Sequence, residues 1–333
     1  FFSMGYFKGK KILITGGSSG IGKACAEYTL KDGAHVMIIG RRKELLDTAQ
    51  MELRKVAAEG QKVEILQLDI SDEAAVNAAA PKVLETLGGL DILINNAGIA
   101  NCGYLQNETA DNYREMMNIN YFGTVWVTKA FTEHFMVQKH GHIGFTSSVL
   151  GLMGLFGYSA YAASKFAMTG YADCLRMDLL KYNIGVHVCF PPDTDTPQHA
   201  EELKGMPAET KAVAGQIKMM AAEDVAKAFL DGMAAGTYHI VPSFGNKLTM
   251  WAVRHLPGIS RFFIDRDIKS VWTVESDVPP VTAESVQQKK LQQDALQTEQ
   301  TSGSEAALSS IAPPKDCAPA TEEAHEAKSV PEA

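Results

Sequence analysis

Short runs of apolar, largely β-branched residues recur along the first part of the chain, at residues 11–15, 34–39, 63–68, 90–94, 142–146 and 186–190. Each has the length of a strand, and the stretches between them carry apolar positions at helical spacing. Strands separated by helices long enough for a crossover predict an α/β fold, a doubly wound parallel sheet with helices on both faces. A seventh short strand at 238–241 extends the same sheet, so residues 8–246 are expected to form one domain around one core.

The pattern then changes. In residues 247–272, Leu248, Trp251, Leu256, Ile259, Phe262 and Phe263 interleave with Lys247, Arg254, Arg261, Arg266 and Lys269. This predicts an amphipathic helical extension over 247–274, interrupted at Pro257 and Gly258. Such a segment serves either as a contact with a membrane surface or as a cover for a pocket or subunit face. No apolar run reaches the ~18 residues a spanning helix needs. From Glu275 onward there is no Phe, Trp or Tyr, and 11 acidic residues face 4 basic ones. Residues 275–333 are therefore expected to be a disordered acidic tail.

The whole chain has 333 residues and a net charge of −8, with 31 Lys and Arg against 39 Asp and Glu. That balance argues against a nucleic-acid binder, whose footprint is basic. Cys25, Cys102, Cys174, Cys189 and Cys317 form neither a Cys-x-x-Cys pair nor a zinc-type cluster, which points to a reducing compartment and no metal.

The first strand runs directly into Gly16, Gly17, Ser18, Ser19, Gly20, Ile21 and Gly22, followed by a helical stretch. Glycines allow a tight turn and close approach to a pyrophosphate, whose charge then sits at the positive helix N-terminus. An ordinary Gly/Ser turn is the simpler alternative, but the order strand, turn, helix near the N-terminus favours a dinucleotide. The second strand ends in Gly40, Arg41 and Arg42 rather than a carboxylate, which favours NADP(H), with Arg41 against the 2′-phosphate, over NAD.

Tyr161 and Lys165 stand at i, i+4 spacing on one helical face, and Ser148 follows the strand at 142–146, at the sheet edge where doubly wound folds bind ligands. At an effective dielectric of ~20, a cation ~4 Å from the phenol is worth about 4 kcal/mol, which predicts a tyrosine pKa near ~7. Tyr-x-x-x-Lys alone arises by chance on many helices. Joined to the glycine turn, to Asn95, Asn96, Ala97 and Gly98 after the fourth strand, to Asn120, and to Asp69 after the third, it is hard to explain as packing.

Together these residues resemble the short-chain dehydrogenase/reductase family. Its glycine pattern matches Thr15, Gly16, Gly20 and Gly22, its Asn-Asn-Ala-Gly motif matches 95–98, and its catalytic set matches Asn120, Ser148, Tyr161 and Lys165. The resemblance covers about residues 10–200 and implies a Rossmann-type sheet and hydride transfer between a nicotinamide and a carbonyl carbon. It further implies that Tyr161 protonates the forming alkoxide, Ser148 holds the carbonyl oxygen, Lys165 tunes the tyrosine and touches the nicotinamide ribose, and Asn120 supports a water relay. NADPH contacts are implied for Gly16, Ser18, Ser19, Gly20, Ile21, Gly22, Arg41, Asp69, Asn96, Gly98, Tyr161, Lys165, Pro191, Thr194 and Thr196. The family also implies a homo-oligomer, consistent with helices near 113–136 and 162–182 that are apolar on more than one face.

One departure narrows the resemblance. After the sixth strand come Pro191, Pro192, Asp193, Thr194, Asp195, Thr196 and Pro197, where the family usually has Pro-Gly. With Ala200, Glu201 and Glu202 and the residues around Tyr161, this looks like the 3-ketodihydrosphingosine reductase branch. That implies a long-chain sphingoid ketone as substrate and action at the cytoplasmic face of a membrane. At ~0.8 kcal/mol per CH₂, a tail of about fifteen carbons costs on the order of 12 kcal/mol to expose to water. Asp193 is placed to accept the substrate ammonium, although a turn-forming Asp is the simpler reading. The alternatives are another lipophilic ketone (a 3-oxoacyl thioester, a steroid or a retinoid) or a non-enzymatic dinucleotide-binding scaffold or redox sensor.

Overall fold

The computed structural model describes residues 5–214, 219–272 and the single position 287. The acidic tail expected beyond Glu275 therefore lies almost entirely outside the described residues.

Six strands, β1 (Lys11–Thr15), β2 (His35–Gly40), β3 (Val63–Gln67), β4 (Ile92–Asn95), β5 (Gly141–Thr146) and β6 (Ile184–Cys189), alternate with helices α1 (Gly20–Lys31), α2 (Lys43–Arg54), α3 (Glu73–Leu87), α4 (Ala110–Met116), α5 (Thr124–Gln138) and α6 (Ser159–Leu179). The loop after β6 carries the two-residue β7 (Thr194–Asp195), paired with β8 (Met220–Ala221), and the short helices α7 (Pro197–Gly205) and α8 (Ala208–Ala214). Then follow α9 (Ala222–Ala234), β9 (His239–Ile240), α10 (Phe244–His255) and α11 (Pro257–Ser270).

The main sheet has the order β3-β2-β1-β4-β5-β6-β9, and every pair is parallel. The strands expected from sequence are all present, with shifted ends. β4 starts two residues late, because Asp91 is engaged with the neighbouring strand, its carboxylate accepting the Lys11 amide at 2.8 Å. β6 starts two residues early, because Ile184 pairs with Gly141.

Alternation along each strand sends its side chains to two cores. Ile12, Ile14, Val36 and Ile38 pack with α1, α2 and α9, whereas Leu13, Met37, Ile39, Leu93 and Phe145 pack with α3, α5 and α6. The strand order reverses between β1 and β4, and there the carboxyl ends of the strands open a crevice. Helices α10 and α11 are separate, since Pro257 opens the second where its missing N–H costs nothing. Neither buries a whole residue.

Candidate active site

A cavity of ≈ 600 Å³ lies at the carboxyl ends of the strands. Gly16, Ser18, Ser19, Gly20, Ile21, Arg41, Asp69, Asn96 and Gly98 line one part, and Ser148, Tyr161, Lys165, Pro191, Thr194 and Thr196 line the rest. Of the residues anticipated from sequence, Gly22 and Asn120 do not line it. None of residues 247–272 lines it either; α11 packs instead against α8, whose Val213 and Ala214 belong to the wall.

The glycine turn is shaped for close approach. Gly16 has φ +66°, and a Cβ there would come 2.8 Å from the Ala97 Cα. Gly22 works from behind, because its Cβ would sit 2.4 Å from both Asn96 Nδ2 and the Gly16 carbonyl; its absence lets α1 pack against the turn. The hinge is held by a clamp that the motif comparison left without a role. The Thr15 hydroxyl accepts the Asn96 and Ala97 amides, each at 3.0 Å, while Asn96 Nδ2 donates to the Thr15 and Gly16 carbonyls at 3.2 Å. Ser19 at the start of α1 makes no side-chain cap, so the first amides of that helix remain available to an anion.

At the end of β2, Arg41 stands 3.7 Å from Asp69, and both side chains are about half exposed. Burial pushes the Asp69 carboxyl up, but the Ser71 hydroxyl and amide and the Arg41 guanidinium outweigh it and hold the group below its ordinary range. Thr194 donates its hydroxyl to the Pro192 carbonyl at 2.7 Å, and Thr196 caps α7 by accepting the His199 amide at 3.2 Å. The uncapped helix, the glycine cradle and a cationic edge fit a phosphorylated dinucleotide.

The chemistry-bearing side chains sit deeper. Tyr161 and Lys165 lie in the first two turns of α6, both buried, at 9% and 4% exposure. Lys165 Nζ donates to the Thr146 carbonyl at 2.9 Å and stands 5.6 Å from the Tyr161 ring centroid. This corrects the sequence expectation of a phenol near neutrality. Lys165 is over the ring, and Tyr161 is pushed well above its ordinary value by burial and then by the Glu202 and Asp193 carboxylates, with only the hydrogen bond to Ser148 opposing. Burial pulls Lys165 down to about 8. Ser148 also accepts the Leu150 amide at 3.1 Å, which fixes it at the mouth of β5.

Asn120 lies in a π-helical turn, Met117–Gly123, between α4 and α5. Its side chain is fully buried and braces the Asn-Asn-Ala-Gly loop: Oδ1 accepts the Ile99 amide at 2.8 Å, and Nδ2 donates to the Ile99 carbonyl and to Ser164 Oγ, each at 2.9 Å. Gly98 allows the close approach, as a Cβ there would meet Asn120 Oδ1 at 3.0 Å and Lys165 Nζ at 3.5 Å.

Two neighbours of Tyr161 were given no role by the sequence, Tyr158 and Glu202, with Tyr158 donating to Glu202 Oε2 at 3.0 Å. The only signal was the Ala-Glu-Glu triplet at 200–202. Burial pushes Glu202 up despite bonds from Gln198 and Tyr158.

The family model described as short chain dehydrogenase matches residues 10–207. The 3-dehydrosphinganine reductase of Danio rerio is 38% identical over 239 residues, 71% of each chain. A 3-ketodihydrosphingosine reductase of Dictyostelium discoideum is 36% identical over 272 residues, covering 77% of this chain and 80% of the relative. Among solved structures, a short chain dehydrogenase/reductase from Burkholderia phymatum in complex with NAD superposes with a TM-score of 0.67 at 24% identity, covering 83% of this chain and 99% of that one. At that identity the likeness speaks for the fold.

Proposed function

The chain belongs to the short-chain dehydrogenase family, and from that premise we propose that it reduces the 3-keto group of 3-ketodihydrosphingosine to dihydrosphingosine with NADPH. The observation that carries this reading is the set of Ser148 with the buried Tyr161 and Lys165, in one cavity with a dinucleotide cradle, in a chain whose relatives bear that reductase name.

The glycine turn, the α1 N-terminus, Arg41 and Lys165 would hold NADPH, which when bound would supply the hydride to the carbonyl carbon. The protein's own residues handle the oxygen. Ser148 donates a hydrogen bond to it, and Tyr161 delivers the proton as the alkoxide forms. Burial and the nearby carboxylates keep the phenol protonated at neutral pH, the state in which a reductase has to begin. Lys165, lowered by burial yet still largely cationic, is held over the phenol ring by its bond to the Thr146 carbonyl, where its charge answers the phenolate that results. Asn120 and Thr15 act indirectly, as positioning residues that fix the loop carrying Asn96 and Gly98.

In this reading residues 8–246 are the reductase domain and the C-terminal helices are its membrane contact. Among the described residues no helix is long and apolar enough to cross a membrane. Phe244 is 82% exposed, and Phe262, Trp272 and Leu248 are similarly bare, flanked by Arg254, Arg261 and Arg266. Apolar and basic side chains on one exposed helix pair support peripheral docking on a membrane surface, which this reading takes to be the cytoplasmic face. Phe166, Met177 and Leu180, exposed on and just after α6, support a homo-oligomer.

The test is NADPH oxidation with product analysis by mass spectrometry, using 3-ketosphinganine in mixed micelles. Stoichiometric sphinganine from the wild-type chain and none from Tyr161→Phe is expected. Cofactor binding without turnover of any ketone would return the chain to the scaffold reading.

A further inference from the structure

The part of the cavity next to Tyr161 carries two carboxylates, and the cations that reach it, Lys165 and His199, form no salt bridge with either among the described residues. Glu202 and Asp193 both line it, one from α7 and one from the loop after β6. Glu202 is bonded by neutral groups alone, Tyr158 Oη at 3.0 Å on Oε2 and Gln198 Nε2 at 3.2 Å on Oε1. Asp193 accepts a backbone amide only through its main-chain carbonyl, from Met220 at 2.9 Å. Among the described residues its carboxylate receives no hydrogen bond, which removes the turn-forming role that its sequence position suggested. Neither carboxylate forms a salt bridge among the described residues, and His199 is the basic group that both of them feel.

Thr146, at the end of β5, is 6% exposed, and its hydroxyl oxygen, closed off from solvent, has no partner among the described residues. Its own carbonyl holds Lys165. The reaction centre thus holds a lysine fixed by a backbone carbonyl, in a cavity whose two carboxylates form no salt bridge among the described residues.

This arrangement works against the reduction of a neutral ketone. Both carboxylates lie within electrostatic reach of Tyr161 and oppose its loss of a proton, which the chemical step requires. A cation arriving with the substrate would cancel that penalty at the moment it matters. A 2-amino-3-ketone carries an ammonium on the carbon adjoining the carbonyl. Once the carbonyl oxygen is at Ser148 and Tyr161, the ammonium has to lie beside them, where unpaired negative charge is already in place.

We propose that Glu202, oriented by Tyr158 and supported by the charge of Asp193, is the specificity-determining residue that binds the substrate's ammonium group. This deepens the reductase reading above and rests on it. Tyr158 has a stated part: it is 4% exposed, its ring centroid is 5.8 Å from that of Tyr161, and its hydroxyl fixes the Glu202 carboxylate relative to the catalytic phenol. An acyl thioester or a steroid ketone has no group to answer these carboxylates, so the same feature that binds the amine selects against them.

The experiment compares kcat/KM for 3-ketosphinganine with that for its desamino analogue, a 1-hydroxy-3-ketone of the same chain length, in mixed micelles with NADPH. The full chain is used as wild type, Glu202→Gln, Glu202→Asp and Asp193→Asn. Glutamine preserves shape and the Tyr158 bond while removing the charge. The ratio of the two specificity constants is expected to fall about 10- to 100-fold in Glu202→Gln, the range for a charge-assisted hydrogen bond, mostly through KM. It should fall less in Asp193→Asn and be partly retained in Glu202→Asp. A parallel loss on both ketones would make Glu202 merely structural, and an unchanged ratio would remove it from recognition; either overturns the proposal while leaving the reductase reading intact. A wild-type chain that does not prefer the amino ketone would overturn both.

Discussion

Replacing Arg41 with alanine tests the assignment of the cofactor's 2′-phosphate to one side chain. A charge-assisted hydrogen bond is worth about 1.5–3 kcal/mol. Arg41 is half exposed, with 51% of its side chain open to solvent, so the lower end applies after screening, about 1.5–2 kcal/mol or 10- to 30-fold. A second effect has the same sign. Arg41 is the cation beside Asp69, 3.7 Å away, and its removal leaves that carboxylate facing the cavity, where it repels a phosphate. The assay is kcat/KM for NADPH and for NADH at a fixed saturating ketone, with a thermal melt to show that the fold is unchanged. NADPH is expected to lose 10- to 30-fold or slightly more, by the same estimate, while NADH stays within about a factor of two because it lacks the group being read. Equal losses on both cofactors, or none on either, would refute the reasoning.

Three further outcomes follow from the geometry. Tyr161→Phe should lose about 10²–10⁴ in kcat, the usual worth of a general acid, while NADPH affinity measured by fluorescence titration is retained. Gly22→Ala should lower stability in urea by about 1–3 kcal/mol, the range for overpacking, because its Cβ would stand 2.4 Å from Asn96 Nδ2 and from the Gly16 carbonyl; a neutral result would show that α1 can shift away from the turn. The third concerns the other end of the sheet, where Tyr6 Oη meets His142 Nε2 at 2.8 Å and His142 Nδ1 meets His187 at 2.9 Å. Burial, then the neighbouring His187, pulls His142 down to about 4. The unfolded chain takes up that proton first, so the stability His142 contributes is present above pH ~6.5 and is lost as pH falls toward ~4, by about 3 kcal/mol in total. Urea denaturation of wild type and His142→Gln across that window should show the steeper loss in the wild type.

The architecture was legible because buried parallel strands are nearly continuous apolar runs, and the glycine turn, the Asn-Asn-Ala-Gly loop and the Tyr-x-x-x-Lys pair fall at fixed places relative to them. Three features were not. The π-helical turn at Met117–Gly123 has the same apolar spacing as the helices it joins, so nothing in the periodicity separates 113–136 into three parts. The i, i+4 rule brings Tyr161 and Lys165 together but does not fix where the ammonium sits, and the Thr146 carbonyl draws it over the ring. Finally, Tyr158 and Glu202 are 44 residues apart and meet only because the loop after β6 folds α7 back over the pocket. Residues 200–202 were conspicuous as a triplet, yet which of the two glutamates turns inward is a tertiary fact.

The central claim is that this cavity reduces a sphingoid ketone with NADPH. Its most direct test presents the purified chain with 3-ketosphinganine in mixed micelles beside an acetoacetyl thioester and a ketosteroid, with NADPH and NADH in parallel. The account predicts selective turnover of the sphingoid ketone with NADPH. Turnover confined to the thioester or the steroid would contradict it and leave only the family's chemistry standing.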